Sequence, residues 1–188
     1  TILTPAQFRK VTQQRAYPGY LAKDVRDSML HVYANGEVVY TIKGIYAKVS
    51  VLWNFEAPEG TGDTHFSIMR GTKANLIIRQ GKEQSYKPVL YIEPVEGISP
   101  EAFKPRAEAA MVSLQQKYPD IQLKSTGKQF EIVIPDHYRI GHEEHFAQVM
   151  ERFLKYIGKG MMPEWEVPNM LAKYYTTTRA LEMAKNKE

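Results

Sequence analysis

Between Ile45 and Glu56 apolar and polar side chains alternate along the chain. Ile45, Ala47, Val49, Val51, Trp53 and Phe55 take one parity; Tyr46, Lys48, Ser50, Leu52, Asn54 and Glu56 take the other. Side chains of an extended strand point to opposite faces with a period of two, so this run predicts a long strand with one apolar and one mixed face. Shorter strands are expected at residues 29–34, 37–43, 64–70, 74–80 and 87–93. Asn35-Gly36 is a hairpin signal, the run Ala57-Pro58-Glu59-Gly60-Thr61-Gly62 is a turn, and Gly71 and Gly81 punctuate the later strands. Six strands on short connections make an antiparallel meander with one face buried.

Elsewhere the period lengthens to that of a helix. Thr4-Pro5-Ala6-Gln7 combines a capping threonine, a proline at the first helical position and a glutamine where a capping box places it. That helix should stop before Tyr17-Pro18-Gly19. Ser99-Pro100-Glu101 opens a second helix with Phe103, Ala107, Met111, Leu114 and Tyr118 on one stripe. Short strands at 121–125 and 128–134 flank Thr126-Gly127. A helix from about His142 then aligns Phe146, Val149, Met150, Phe153, Leu154 and Ile157. With the strand before it, this part reads β-α-β-β-α, a split-βαβ arrangement. A last helix after Pro163 carries Met170, Leu171, Tyr174, Tyr175, Thr178 and Leu181. The fold class is therefore α+β: a largely antiparallel open sheet of about six strands with helices on one face, a small split-βαβ portion and a C-terminal helix, with no Rossmann domain. The expected organisation is one domain over 1–188, its parts being 1–98, 99–160 and 161–188.

Composition narrows the class of function. Of 188 residues, 43% are hydrophobic and 24% charged, the balance of a folded protein rather than a disordered one. No apolar run approaches the ~20 residues that cross a bilayer. The chain has no cysteine, so disulfides, thiolate metal sites and cysteine nucleophiles are excluded. Lys and Arg outnumber Asp and Glu by 25 to 21, but the charges are interspersed and form no nucleic-acid-binding tract. The chain starts at Thr1 and enters a helix signal directly, which reads as a piece of a longer polypeptide. The compartment stays open, the cytoplasm being favoured over the periplasm.

Candidate chemistry is sparse. There is no G-x-G-x-x-G after a strand, no P-loop, no G-x-S-x-G and no H-E-x-x-H. Gly60-Thr61-Gly62 joins two expected strands and lacks the following helix whose N-terminus holds phosphate. Asp63 and His65, one residue apart, share one side of an extended chain and suit hydrogen bonding to a polyol. Arg70 falls on the opposite face. The competing reading has Asp63 capping a turn and His65 on a solvated face. His142 and His145 are three apart at a helix start, a spacing a metal can use, although Glu143 and Glu144 beside them are also what a helix dipole favours. Tyr174, Tyr175 and Trp165 offer an aromatic wall for a sugar, although such residues more often serve as core and interface surface.

Several stretches together resemble one family: Ala34-Asn35-Gly36-Glu37, Lys43-Gly44, Trp53-Asn54-Phe55-Glu56-Ala57-Pro58, Gly62-Asp63-Thr64-His65-Phe66-Ser67 and Met69-Arg70-Gly71-Thr72-Lys73-Ala74. His142-Glu143-Glu144-His145-Phe146 and Asn169-Met170-Leu171-Ala172-Lys173-Tyr174-Tyr175 extend the likeness over nearly the whole chain. It is similar to the C-terminal domain of oxidoreductases of the glucose–fructose oxidoreductase / inositol dehydrogenase / MocA superfamily. The resemblance implies a partner domain, N-terminal and nucleotide-binding, that holds NAD or NADP, with none bound by the present residues. It implies a small sugar or cyclitol substrate, a substrate-side role for Asp63, His65 and Arg70, and no catalytic residue in this chain. Isolated, the chain is expected to be inactive. A homo-oligomer is expected through the mixed strand face of Tyr46, Lys48, Ser50 and Leu52, with neither nucleic acid nor membrane as partner. Two other classes compete: a self-contained carbohydrate-binding or protein-interaction domain, and an RNA-binding split-βαβ module. Residues 128–134 lack the aromatic and basic strand that the latter uses.

Overall fold

The computed structural model describes residues 1–186. They form two compact units, one of residues 1–56 with 155–186 and one of Ala57–Leu154.

In the first unit, strand β1 (Ile2–Leu3) leads into helix α1 (Pro5–Thr12). The capping box forms as expected: the Thr4 hydroxyl accepts from the Gln7 backbone N–H at 3.1 Å, and the Gln7 side chain accepts from the Thr4 N–H at 2.9 Å. The helix ends at Gln13, whose φ of 61° is left-handed. After a 3₁₀ turn at Gly19–Asp24, β2 (Val25–Arg26) and β3 (Met29–His31) complete a three-stranded antiparallel sheet in the order β1-β3-β2. Leu3, Phe8 and Leu30 are its buried centre, with Tyr17, Leu21, Val25, Val32 and Phe55 packed around them. Tyr17 meets the Phe8 ring edge-on at 4.9 Å and donates its hydroxyl to the Leu3 carbonyl at 2.9 Å, so its polar tip is paired where its ring is covered.

Strands β4 (Gly36–Ile42) and β5 (Ile45–Val51) form a hairpin that stands as a sheet of its own. Its tight turn is Lys43-Gly44, both with positive φ, rather than Asn35-Gly36. Asn35 instead accepts the Trp53 N–H through its side chain at 2.5 Å. The last ladder pair is Gly36 with Val51, and Phe55 adopts a φ of 65°, so the expected strand through Phe55 stops at Val51. The alternation holds within the hairpin. Val38, Tyr40, Ile42, Ile45, Ala47, Val49 and Val51 share one face by register. On that face Val38, Tyr40 and Ala47 are half-buried and Ile45 remains 71% exposed, so it is less covered than the alternation suggested.

The second unit holds the main sheet: β6 (His65–Arg70), β7 (Ala74–Gln80), β8 (Val89–Pro94), β9 (Gln122–Ser125) and β10 (Phe130–Val133), with helix α2 (Pro100–Lys117) between β8 and β9 in sequence. The order is β6-β7-β8-β10-β9 and every pairing is antiparallel. Because β10 runs antiparallel to both its neighbours, β8 and β9 are parallel to each other, and β8-α2-β9 with β10 inserted is a split βαβ. The α+β class and the antiparallel open sheet are therefore present, with the strands shared out differently: the two short strands join the main sheet and the β4–β5 hairpin does not.

Ser99 caps α2 by accepting from the Ala102 N–H at 3.2 Å. Phe103, Ala107 and Met111, four apart, form its buried ridge. Phe103 and Ala107 pack on Phe130; Met111 packs with Ile121 and Ile132. Leu114 and Tyr118, further along the same stripe, are each 40% exposed. Helices α3 (His142–Lys159) and α4 (Glu166–Lys185) contain no buried residue at all. None of the helices is long and apolar enough to cross a membrane among the described residues.

Phe130 is 1% exposed and touches both the helix ridge and the neighbouring strands. Phe130→Ala should destabilise the chain by about 3–5 kcal/mol, the range for a buried phenylalanine replaced by alanine. The shift of the urea unfolding midpoint at constant slope measures it.

Candidate functional site

His65 opens β6, the edge strand of the main sheet, and pairs with Gln80; Arg70 closes it and pairs with Asn75. They are five positions apart, which puts them on opposite faces and about 17 Å from each other at the rise of a strand. Asp63 precedes the strand, and its backbone carbonyl accepts from the Gln80 side chain at 3.0 Å. All three side chains are exposed. The structure thus keeps Asp63 and His65 close in the chain near one end of β6 and separates Arg70 from them.

Arg70 is held by the turn that follows. The Gly71 N–H donates to the Ala74 carbonyl at 3.1 Å, and a Cβ at Gly71 would stand only 2.5 Å from that oxygen. Glycine is needed here for close backbone approach, which explains the Arg70-Gly71-Thr72-Lys73-Ala74 element.

The face of the sheet that carries His65 also carries a depression of about 700 Å³. Ile78, Leu90 and Ile134 are among its apolar lining, and Lys87, Asp136, Arg139 and His145 add polar groups. Ser67 is the cross-strand partner of Ile78 and His65 that of Gln80, so His65 lies one diagonal position from the lining. Arg139 is oriented by Asp136, with Nε 3.6 Å from the carboxylate, and by the Pro88 carbonyl at 3.5 Å from Nη1. Tyr138 donates its hydroxyl to the Pro119 carbonyl at 3.2 Å and stacks edge-on with Tyr118. An apolar floor with a few convergent donors and acceptors is the chemistry of a small polar organic ligand. Arg139, Asp136 and Lys87 carry no motif, and only the meeting of β7, β8 and the 3₁₀ turn at Asp136–Tyr138 brings them together.

His142 and His145 have separate surroundings. The His142 ring packs on Phe146 at 5.5 Å between centroids, whereas His145 lines the depression. No group of three or more His, Asp or Glu that could hold a metal comes together among the described residues. Trp165, Tyr174 and Tyr175 are 52%, 57% and 71% exposed, and the Lys173 ammonium sits 5.4 Å from the centre of the Tyr174 ring.

The loop with Gly60 and Gly62 does not suit a dinucleotide. It leads from β5 into β6 with no helix start beside it, and the space a side chain would fill at Gly62 is already taken by Tyr86, 3.2 Å away.

The architecture is that of an α+β domain of an oxidoreductase. Residues 1–185 match the family described as "Putative oxidoreductase C terminal domain", and the chain belongs to that family. It is also similar to the crystal structure of a putative oxidoreductase from Parabacteroides merdae, with 52% identity over 100% of this chain and a TM-score of 0.93. The chain spans 43% of that protein. No curated protein matches it.

Gly71→Ala should cost about 1–3 kcal/mol, because the new methyl presses on a backbone carbonyl rather than on a side chain that can rotate away. Chemical denaturation of the variant beside the parent chain measures it; an unchanged midpoint would show that the turn has room after all.

Proposed function

We propose that this chain is the substrate-side and oligomerisation domain of an NAD(P)-dependent oxidoreductase that acts on a sugar or cyclitol. Dinucleotide binding and catalysis then belong to another domain of the same polypeptide. The observation that carries the reading is the family match over residues 1–185, beside a Gly60-Thr61-Gly62 loop that has no helix start after it. The breadth of the P. merdae protein, of which this chain spans 43%, leaves length for a further domain. The depression with Arg139, Asp136, Lys87 and His145 at its polar positions, and Asp63 and His65 beyond it, supports binding of a polyhydroxyl compound. Arg70, on the other face of β6, serves the same substrate only where a second element brings that face to it. Lys48, ion-paired with Glu37 at 2.7 Å, lies with Tyr46 and Ser50 on the mixed face of β5, the surface we assign to contact between copies.

Three measurements test this. Calorimetric titration of the 188-residue chain with NAD(H) and NADP(H) should give no binding, and micromolar affinity would sink the assignment. In the full-length enzyme, Arg139→Ala and His65→Ala should each raise KM for the polyol about three- to tenfold, the loss of one hydrogen bond to a ligand, with kcat changed less. Sedimentation of that enzyme should show a dimer or larger assembly that Lys48→Glu weakens; monomer alone at high concentration would remove the oligomerisation role.

A further inference from the structure

The depression on the main sheet holds more positive charge than a neutral polyol calls for. Lys87 and Arg139 both line it, and the Pro88 carbonyl, 3.5 Å from Arg139 Nη1, ties the guanidinium to the residue next to Lys87. Asp136 is the one carboxylate in the lining. Its approach to Arg139, 3.6 Å from Nε, exceeds a hydrogen bond, and its side chain is 99% exposed. It orients the guanidinium without neutralising it. Lys87 forms no ion pair among the described residues. Hydrogen-bonding capacity is tilted the same way. A polyol hydroxyl donates as well as accepts, so a site for neutral sugars needs side-chain acceptors. Here Lys87 and Arg139 can only donate, Tyr138 gives its hydroxyl proton to the Pro119 carbonyl, and Asp136 is turned to solvent. Charged donors dominate the lining.

We propose that the ligand of this depression is a polyhydroxyl compound that carries an oxyanion, a carboxylate or a phosphate, held by Arg139 and Lys87. This deepens the functional reading above and rests on it. A guanidinium keeps its charge at any ordinary pH and meets an oxyanion with two parallel hydrogen bonds, while an ammonium beside it adds a second positive charge. The Arg139 side chain is 35% exposed and held at both Nε and Nη1, so its fork is oriented before the ligand arrives. Ile78, Leu90 and Ile134 form an apolar floor for the C–H face of the carbon chain. From the charged end the ligand extends along the sheet towards His65, one diagonal position beyond the lining, which serves its hydroxyls.

The test uses the full-length protein at low salt, titrated in a calorimeter with D-gluconate, D-glucuronate, D-glucose 6-phosphate, D-glucose and myo-inositol. At least one acid should bind about tenfold or more tightly than either neutral compound, the advantage of a charge-assisted hydrogen bond over a neutral one. The sugar acids and the sugar phosphate show which oxyanion fits. Arg139→Gln and Lys87→Gln should each weaken the bound acid about tenfold or more, and the neutral compounds less than about twofold. Equal affinity for acids and neutral compounds overturns the proposal, as does acid binding that both variants retain, or no acid binding at all. Lys87 is exposed, so Lys87→Gln carries the test should Arg139→Gln fail to fold. Reduction of NAD or NADP by the same compounds separates the two ideas. Turnover of the neutral compounds alone refutes the anion site and leaves the oxidoreductase; acid binding that both variants lose, with no dinucleotide reduced by any compound, refutes the assigned function and leaves the site.

Discussion

Phe130 enters the main sheet on β10, between β8 and β9, and meets Phe103 and Ala107 of α2 where the crossover helix lies on the sheet. The topology depends on this contact. A split βαβ leaves a gap between two parallel strands, and the strand that fills it must present a large apolar group to the crossover helix above. Phe130 at 1% exposure and Ile132 at 8% do so, while Glu131 between them, by the period of two, faces the other way. Met111 and Ile121 continue the layer towards Tyr138, and from there the chain bends through Asp136–Tyr138 to form one wall of the depression. The candidate site is thus a by-product of how the α2 layer ends: beyond its reach, Ile78 and Leu90 are left beside Arg139 and His145.

The two units solve the problem of a core in different ways. The Ala57–Leu154 unit buries a helix ridge on five strands. The other unit has a small centre of Leu3, Phe8 and Leu30 and a two-stranded hairpin whose apolar face is at most half-buried. An isolated hairpin is marginal in water. Its apolar register runs the whole length of the hairpin, with Ile45 71% exposed.

Much of this was legible from the order of residues. The capping box of α1, the Ser99 cap, the ridge Phe103, Ala107 and Met111, the β-α-β-β sequence and the parity of β5 all rest on local rules, periods and caps that operate within a few residues. Those rules could not say which strands share a sheet. Period two is the same for a strand in a five-stranded sheet and for one in a lone hairpin, so β4 and β5 looked like part of one meander. Nor could they give the end of β5: Trp53 and Phe55 keep the alternation, yet the Asn35 side chain takes the Trp53 N–H, and Phe55 turns to a φ of 65° and packs on the Leu3, Phe8 and Leu30 centre.

For the site the division is sharper. Asp63, His65 and Arg70 were visible as residue types at a spacing, and the opposite-face position of Arg70 follows from counting along a strand. Lys87, Asp136, Arg139 and His145 come from separate elements and have no spacing to read. The sequence by itself determined the α+β class, the helix caps, the two-faced strand and the amphipathic α3, because each depends on contacts a few residues long. Tertiary structure alone decided that β10 fills the gap between β8 and β9 and that a polar-lined depression forms beside them. Those outcomes depend on burial between segments far apart in the chain, and burial has no signature at any single position.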